Sequence, residues 1–151
     1  MKQAKWKKYC SVFMIAALAC GMLTGCGGSN DKEIPKIGIV QLVSHGAGED
    51  AAAGFKQALA DNGFVDGETV TLIEQNGQNE QSNLESIAQS FLSEEVDLIC
   101  AVSTSTAQVM AAATGEIPIV GTAITNYEET RLVESNEAPG FNVTGTSDMN
   151  L

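Results

Sequence analysis

From residue 36 onward, short and nearly continuous apolar runs alternate with segments of helical periodicity, and this alternation is what most constrains the fold of the 151-residue chain. A strand that reads apolar on both faces has to be buried on both, and a parallel sheet between two helical layers does this. The strand-like runs lie at 36–43 (Lys-Ile-Gly-Ile-Val-Gln-Leu-Val), 68–75, 97–102 and 117–122, with a weaker one at 142–146. Pro118 falls near the start of the fourth, where a missing N–H is tolerated. Helical patterns fill the gaps at 49–62, 83–93 and 104–114, with a short one at 127–135. In the second, Leu84, Ile87, Ala88, Phe91 and Leu92 fall at i, i+3, i+4, i+7 and i+8, a single apolar stripe. In the first, Ala52, Phe55 and Leu59 share a face and Asn62-Gly63 supplies the stop. Ser103 or Thr104 caps the third, and Gly115 ends it. The expected architecture is α/β: a doubly wound parallel sheet of strand order 2-1-3-4-5.

The first 25 residues read differently. Lys2, Lys5, Lys7 and Lys8 precede an apolar run at 11–22. That run is too short to cross a bilayer, which needs about 20 residues, so an export signal is the better reading. It ends in Leu23-Thr24-Gly25-Cys26, which resembles the lipobox of bacterial lipoproteins. The resemblance implies cleavage before Cys26 and lipid attachment to its thiol, an anchor that is stable when two or more acyl chains insert. Residues 26–34, which include Gly27-Gly28-Ser29, then form a flexible tether, and 35–151 form the α/β domain. The expected location is extracytoplasmic, held to the cell membrane by lipid.

Four of the eight basic residues lie in the signal and all 19 acids lie after it. So acidic a domain is a poor partner for nucleic acid or anionic lipid. Beyond Cys26 only Cys100 remains, among Leu98, Ile99, Ala101 and Val102, with no base or metal ligand close in sequence. A buried, inert thiol is expected.

Ligands of doubly wound sheets meet the loops at the carboxyl ends of the strands. Those loops carry Gln41, Ser44 and His45 after strand one, Asn76 after strand two, Ser103 and Thr104 after strand three, Thr122 and Ala123 at strand four, and Ser147 with Asp148 after strand five. Hydroxyls and amides dominate. They give directional hydrogen bonds to a small polar or zwitterionic molecule, and the helix start after Ser103 favours an anionic group. Chemistry is not in evidence. Gly46-Ala47-Gly48 lacks a third glycine at dinucleotide-binding spacing, there is no phosphate-binding Gly-Lys-Ser/Thr loop, and no His, Cys and carboxylate set has metal spacing. Ser44 and His45, the only histidine, are sequence neighbours and do not make a nucleophile–base pair. No catalytic residue, metal or cofactor is assigned.

Six stretches, in order and with similar gaps, resemble the substrate-binding family of ABC transporters that includes the tryptophan- and tyrosine-binding lipoproteins. They are Lys36-Ile-Gly-Ile-Val-Gln-Leu-Val43, Gly54-Phe-Lys-Gln-Ala-Leu59, Gln81-Ser-Asn-Leu84, Asp97-Leu-Ile99, Ile117-Pro-Ile-Val120 and Asn142-Val-Thr-Gly-Thr-Ser-Asp148. The resemblance spans nearly all of residues 34–151. It implies a type I periplasmic-binding-protein fold, two α/β lobes with a ligand between them. It also implies capture of a small solute, often an aromatic amino acid, for delivery to an ABC permease subunit. By position, Gln41, Ser44 or His45, Asn76, Ser103, Thr104, Thr122 and Ala123 would touch the ligand, with Asp148 near the crossing to the second lobe. The family often has Pro after the His of the first loop and Asp-Pro after the fourth strand; here those places read His45-Gly46 and Asn126-Tyr127. The chain ends at Leu151, before a second lobe, so one lobe with weak affinity of its own is expected. An alternative keeps the same lobe in an extracytoplasmic sensing or interaction lipoprotein with no transport role.

Overall fold

The computed structural model describes residues 34–148. The expected export segment at 1–25, the expected lipid site Cys26 and the expected tether as far as residue 33 lie outside the described residues. Strands β1 (Lys36–Gln41), β2 (Thr71–Asn76), β3 (Leu98–Val102), β4 (Ile119–Ile124) and β5 (Val143–Ser147) form one sheet, every pairing parallel, in the order β2-β1-β3-β4-β5. Three helices connect them: α1 (Gly46–Asp61), α2 (Gln81–Ser93) and α3 (Thr104–Ala113). The doubly wound α/β expectation and its strand order hold.

Each sheet face has its own apolar layer. On one, α1 sets Ala52, Phe55 and Leu59 against Ile37, Ile39, Cys100 and Val102. On the other, the α2 stripe of Leu84, Ile87, Ala88 and Phe91 joins Ala107 and Met110 of α3 over Val40, Ile99, Ala101 and Ile119. The central strands β1 and β3 are buried nearly throughout, as their unbroken apolar sequence requires. Gly38 makes room for this packing: a Cβ there would come within 2.7 Å of the fully buried Phe91 ring.

Four local expectations need correction. Strand β1 stops at Gln41, so Leu42 and Val43 belong to the loop and α1 begins at Gly46. The second strand starts at Thr71, because residues 63–70 close a turn in which Thr69 Oγ1 accepts from the Val65 N–H at 2.7 Å and donates to the Gly63 carbonyl at 2.7 Å. The helix expected at 127–135 is a single turn. Asn126 Oδ1 accepts from the N–H groups of Glu128 and Glu129, both at 3.1 Å, but Arg131 at φ +58° closes the turn through Arg131 N–H to Glu128 O and Leu132 N–H to Tyr127 O. Finally, Ser103 is the N-cap residue of α3, yet its side chain makes no capping bond.

Candidate functional site

Register decides what the carboxyl ends present. Gln41 pairs with Asn76 on one side and Val102 on the other, and Val102 pairs with Thr122. Residues in register share a face, so Asn76, Gln41, Val102 and Thr122 form one row across four strands, about 14 Å long at about 4.8 Å per strand. The row lies on the α1 face, as the packing of Val102 with Ile39 and Ala52 shows. Two amides and a hydroxyl end this face where the apolar layer stops.

The loops above the row are tied together by backbone bonds. Gln41 O accepts from Gly77 N–H at 2.8 Å, and Leu42 O accepts from Asn79 N–H at 2.8 Å. Asn76 donates from Nδ2 to Ser44 Oγ at 2.7 Å and accepts at Oδ1 from Gln78 N–H at 2.7 Å. Ser103 N–H donates to Thr122 O at 3.0 Å. Four non-glycine residues here carry left-handed or positive φ: Gln78 (+53°), Asn79 (+62°), Ser103 (+99°) and Ala123 (+54°). Backbone held in such regions recurs where geometry serves a ligand.

The row opens into two adjoining cavities that share Gln41. One, about 310 Å³, is lined by Gln41, Leu42, Val43, His45, Ala47, Gly48, Val102, Ser103 and Ala123. Its walls are largely apolar, with Gln41, His45 and Ser103 as polar points. The other, about 320 Å³, lies toward the β2 edge and is lined by Gln41, Ser44, Asn76, Glu49, Lys56, Glu74 and Gln75 over Ile39 and Ala52. Lys56 Nζ bridges it to Glu74 at 2.9 Å. Each volume sits at the small end of the roughly 300–1,000 Å³ range of ligand pockets.

The site residues expected from sequence separate accordingly. Gln41, His45, Ser103 and Ala123 meet in the first cavity; Gln41, Ser44 and Asn76 meet in the second. Ser44 and His45, alternatives by position, line different cavities. Thr122 is in the row, half-buried, but lines neither cavity, and nor does Thr104, the first residue of α3. Asp148 is exposed beyond β5, its N–H donating to Ile124 O at 3.1 Å. Sequence reasoning missed the apolar wall of Leu42, Val43, Gly48 and Val102, since the first two read as strand.

The Ser103 hydroxyl lies 3.2 Å from Thr106 Oγ1 and 3.3 Å from Ser105 Oγ. Buried Thr106 points its own proton at the carbonyls of Val102 and Ser103, both at 2.8 Å, so Ser103 is the donor of that contact and accepts from Ser105 Oγ. Among the described residues no group of His, Cys, Asp or Glu is placed to hold a metal, and no helix is long and apolar enough to cross a membrane. Cys100 is fully buried, and desolvation pushes its thiol up to about 12, far from the reactive range. The arrangement can bind and orient a small molecule.

Comparison with known proteins agrees with this geometry. Residues 36–151 match the family model described as ABC transporter substrate binding protein. A tyrosine-binding protein of Clostridioides difficile is 44% identical over 95% of this chain and 45% of its own length. Among solved structures, the ligand-free, open form of a substrate-binding protein with adhesive properties from Clostridium difficile is 46% identical, with TM-score 0.76 over 78% of this chain and 40% of that one. An ABC domain in complex with L-Trp from Streptococcus pneumoniae is 34% identical, with TM-score 0.74 over 77% of this chain and 39% of that one. The chain spans less than half the length of these relatives.

Proposed function

This chain belongs to the ABC transporter substrate-binding protein family, and from that premise we propose that its carboxyl rim is one wall of a site that captures an aromatic amino acid for an importer. The observation that carries this is the juxtaposition of the Asn76–Gln41–Thr122 row with the cavity walled by Leu42, Val43, Val102 and Ala123. An apolar recess suits a ring, and the amides and hydroxyls beside it suit an ammonium and a carboxylate. The names of two relatives, one tyrosine-binding and one holding L-Trp, support the same ligand class. The opposite wall comes from a second α/β lobe. A pocket normally encloses about 70–90% of its ligand, so this lobe by itself holds a solute weakly.

The protein works outside the cytoplasm, anchored through lipid on Cys26, and passes its solute to an ABC permease. The Leu-Thr-Gly-Cys sequence ending a basic and then apolar leader supports the anchor. Amide-resolved NMR titration of the chain with L-tyrosine and L-tryptophan tests the site. Shifts should concentrate at Gln41, His45, Ser103 and Ala123, with millimolar rather than micromolar affinity. Shifts elsewhere, or equal shifts with glucose, would overturn the assignment; micromolar affinity would overturn the one-wall reasoning. Cys26→Ala should leave the membrane fraction, and retention there counts against lipid attachment.

A further inference from the structure

The row along the rim is regular except at β4. There the register runs Gly121↔Gly145 and then Ile124↔Ser147, so Thr122 and Ala123 together oppose the single residue Thr146. This is a β-bulge, and it inverts the alternation of the strand. Ile119 packs on the α2–α3 face, so strict alternation would place residue 123 on that face and residue 124 on the α1 face. The reverse is observed: Ala123 packs with the α1 layer and lines the first cavity, while Ile124 is fully buried in the α2–α3 layer. Ala123 takes φ +54°, a conformation an alanine rarely adopts unless its surroundings impose it.

One side chain spans the irregularity. Tyr127, 6% exposed, sets its hydroxyl against the Gly121 carbonyl at 2.8 Å and the Thr146 carbonyl at 3.1 Å, one on each strand of the interrupted pair. The hydroxyl carries one proton and shares it between the two. Two glycines make the space. A Cβ on Gly121 would come within 2.6 Å of that hydroxyl, and a Cβ on Gly145 would collide with both the hydroxyl and the Gly121 carbonyl. Gly121, Gly145 and Tyr127 therefore form one device, in which the missing side chains of a glycine pair admit a phenol that holds both strands.

We propose that Tyr127 is a positioning residue for the ligand site: through the Gly121 and Thr146 carbonyls it holds the β4 bulge that turns Ala123 into the cavity wall, and so sets how deep an apolar group can enter beside Val102 and Ser103. The second half of this proposal rests on the rim being the ligand site; the first half does not. Tyr127 lines neither of these two cavities and acts through the backbone carbonyls of β4 and β5.

The test uses the full chain and Tyr127→Phe, which removes the hydroxyl and keeps the ring. The Cα and Cβ chemical shifts of Ala123 report its φ. In Y127F they should move away from left-handed values, with accompanying shifts at Thr122 and Ser103 and none at Gln41 or Asn76. If Ala123 keeps its left-handed shifts in Y127F, the hydroxyl does not hold the bulge and the proposal is overturned. Should Y127F be poorly folded, the A123G background, which relieves the strained residue and should raise the unfolding temperature, serves for the same comparison at Thr122 and Ser103. An unfolding temperature unchanged or lowered by A123G would overturn the imposed conformation. Titration with L-tyrosine then separates the two levels. Weakening of several fold in Y127F together with the Ala123 shift supports the whole; an Ala123 shift with unaltered titration at Gln41 overturns the role in the cavity while leaving the bulge mechanism standing. Absence of any titration in the unsubstituted chain counts against the ligand site itself.

Discussion

Replacing Gly38 with alanine should destabilise the protein even though alanine suits a strand better than glycine. Gly38 lies in the middle of β1, pairing with Ile73 and Ile99, and its missing side chain faces the ring of Phe91. The new Cβ would lie 2.7 Å from Cε2 and 2.8 Å from Cδ2 and Cζ. Carbon atoms rest about 3.5–4.0 Å apart, so helix and strand must separate by nearly 1 Å or the ring must turn. The ring is fully buried and has no open side to turn into. Overpacking of this kind costs about 1–3 kcal/mol, while the stiffer unfolded chain returns about 0.4–1 kcal/mol. The net expectation is a loss of about 1–2 kcal/mol. Urea titration followed by circular dichroism reads this as a lowered midpoint at unchanged slope, by about 1 M where the slope is between 1 and 2 kcal/mol per molar. A double-mutant cycle with Phe91→Leu isolates the cause, since a smaller side chain facing residue 38 should recover about 0.5 kcal/mol or more of the loss. A stability equal to or above that of the parent, or a cycle with no coupling, would refute the reasoning. The outcome bears on the proposed site because Gln41 ends the same strand three residues further along.

Other expectations follow from the same geometry. Phe91→Ala should cost about 3–5 kcal/mol, readable in the same urea titration, because the cavity it leaves lies between α2 and the sheet where nothing can collapse into it. Cys100 should resist alkylation in the native protein and label fully in denaturant, followed by mass spectrometry of its peptide; rapid native labelling would contradict its burial. Stability should fall as pH rises. Desolvation pushes Cys100 from 9.0, and desolvation with help from Asp148 pushes Tyr127 from 10.0, each to about 12. Both groups hold their protons more tightly folded than unfolded, so their contribution is intact below pH 9 and is lost progressively toward pH 12. Unfolding temperatures measured from pH 8 to 11 check this, and Cys100→Ala should flatten the early part of the decline. Breaking the exposed Lys56–Glu74 pair with Lys56→Met should change stability by less than about 1 kcal/mol, since solvent screens such pairs.

The order of the layers was legible in the residues themselves. Unbroken apolar runs at β1 and β3 demand cover on both faces, and the stripe from Leu84 to Phe91 can bury itself only against a flat partner, so a covered parallel sheet follows from periodicity. The rim polar groups were legible for the same reason, being what remains where an apolar run stops. Boundaries were not, because Leu42 and Val43 are as apolar as the strand they leave and only hydrogen bonding distinguishes strand from loop.

What the tertiary structure alone decided concerns register and contact across the sheet. Nothing local in Gln41, Asn76, Val102 and Thr122 says that they stand in one row, since pairing joins residues tens of positions apart. Nothing local in Thr122-Ala123 announces a bulge. It exists because Gly121 and Tyr127 meet Gly145 and Thr146 of the neighbouring strand where one hydroxyl can serve two carbonyls. Sequence determines which faces must be hidden, because hydrophobic periodicity is a property of consecutive residues. Which side chain turns into a cavity depends on non-local hydrogen bonds, and these form only once the strands lie side by side.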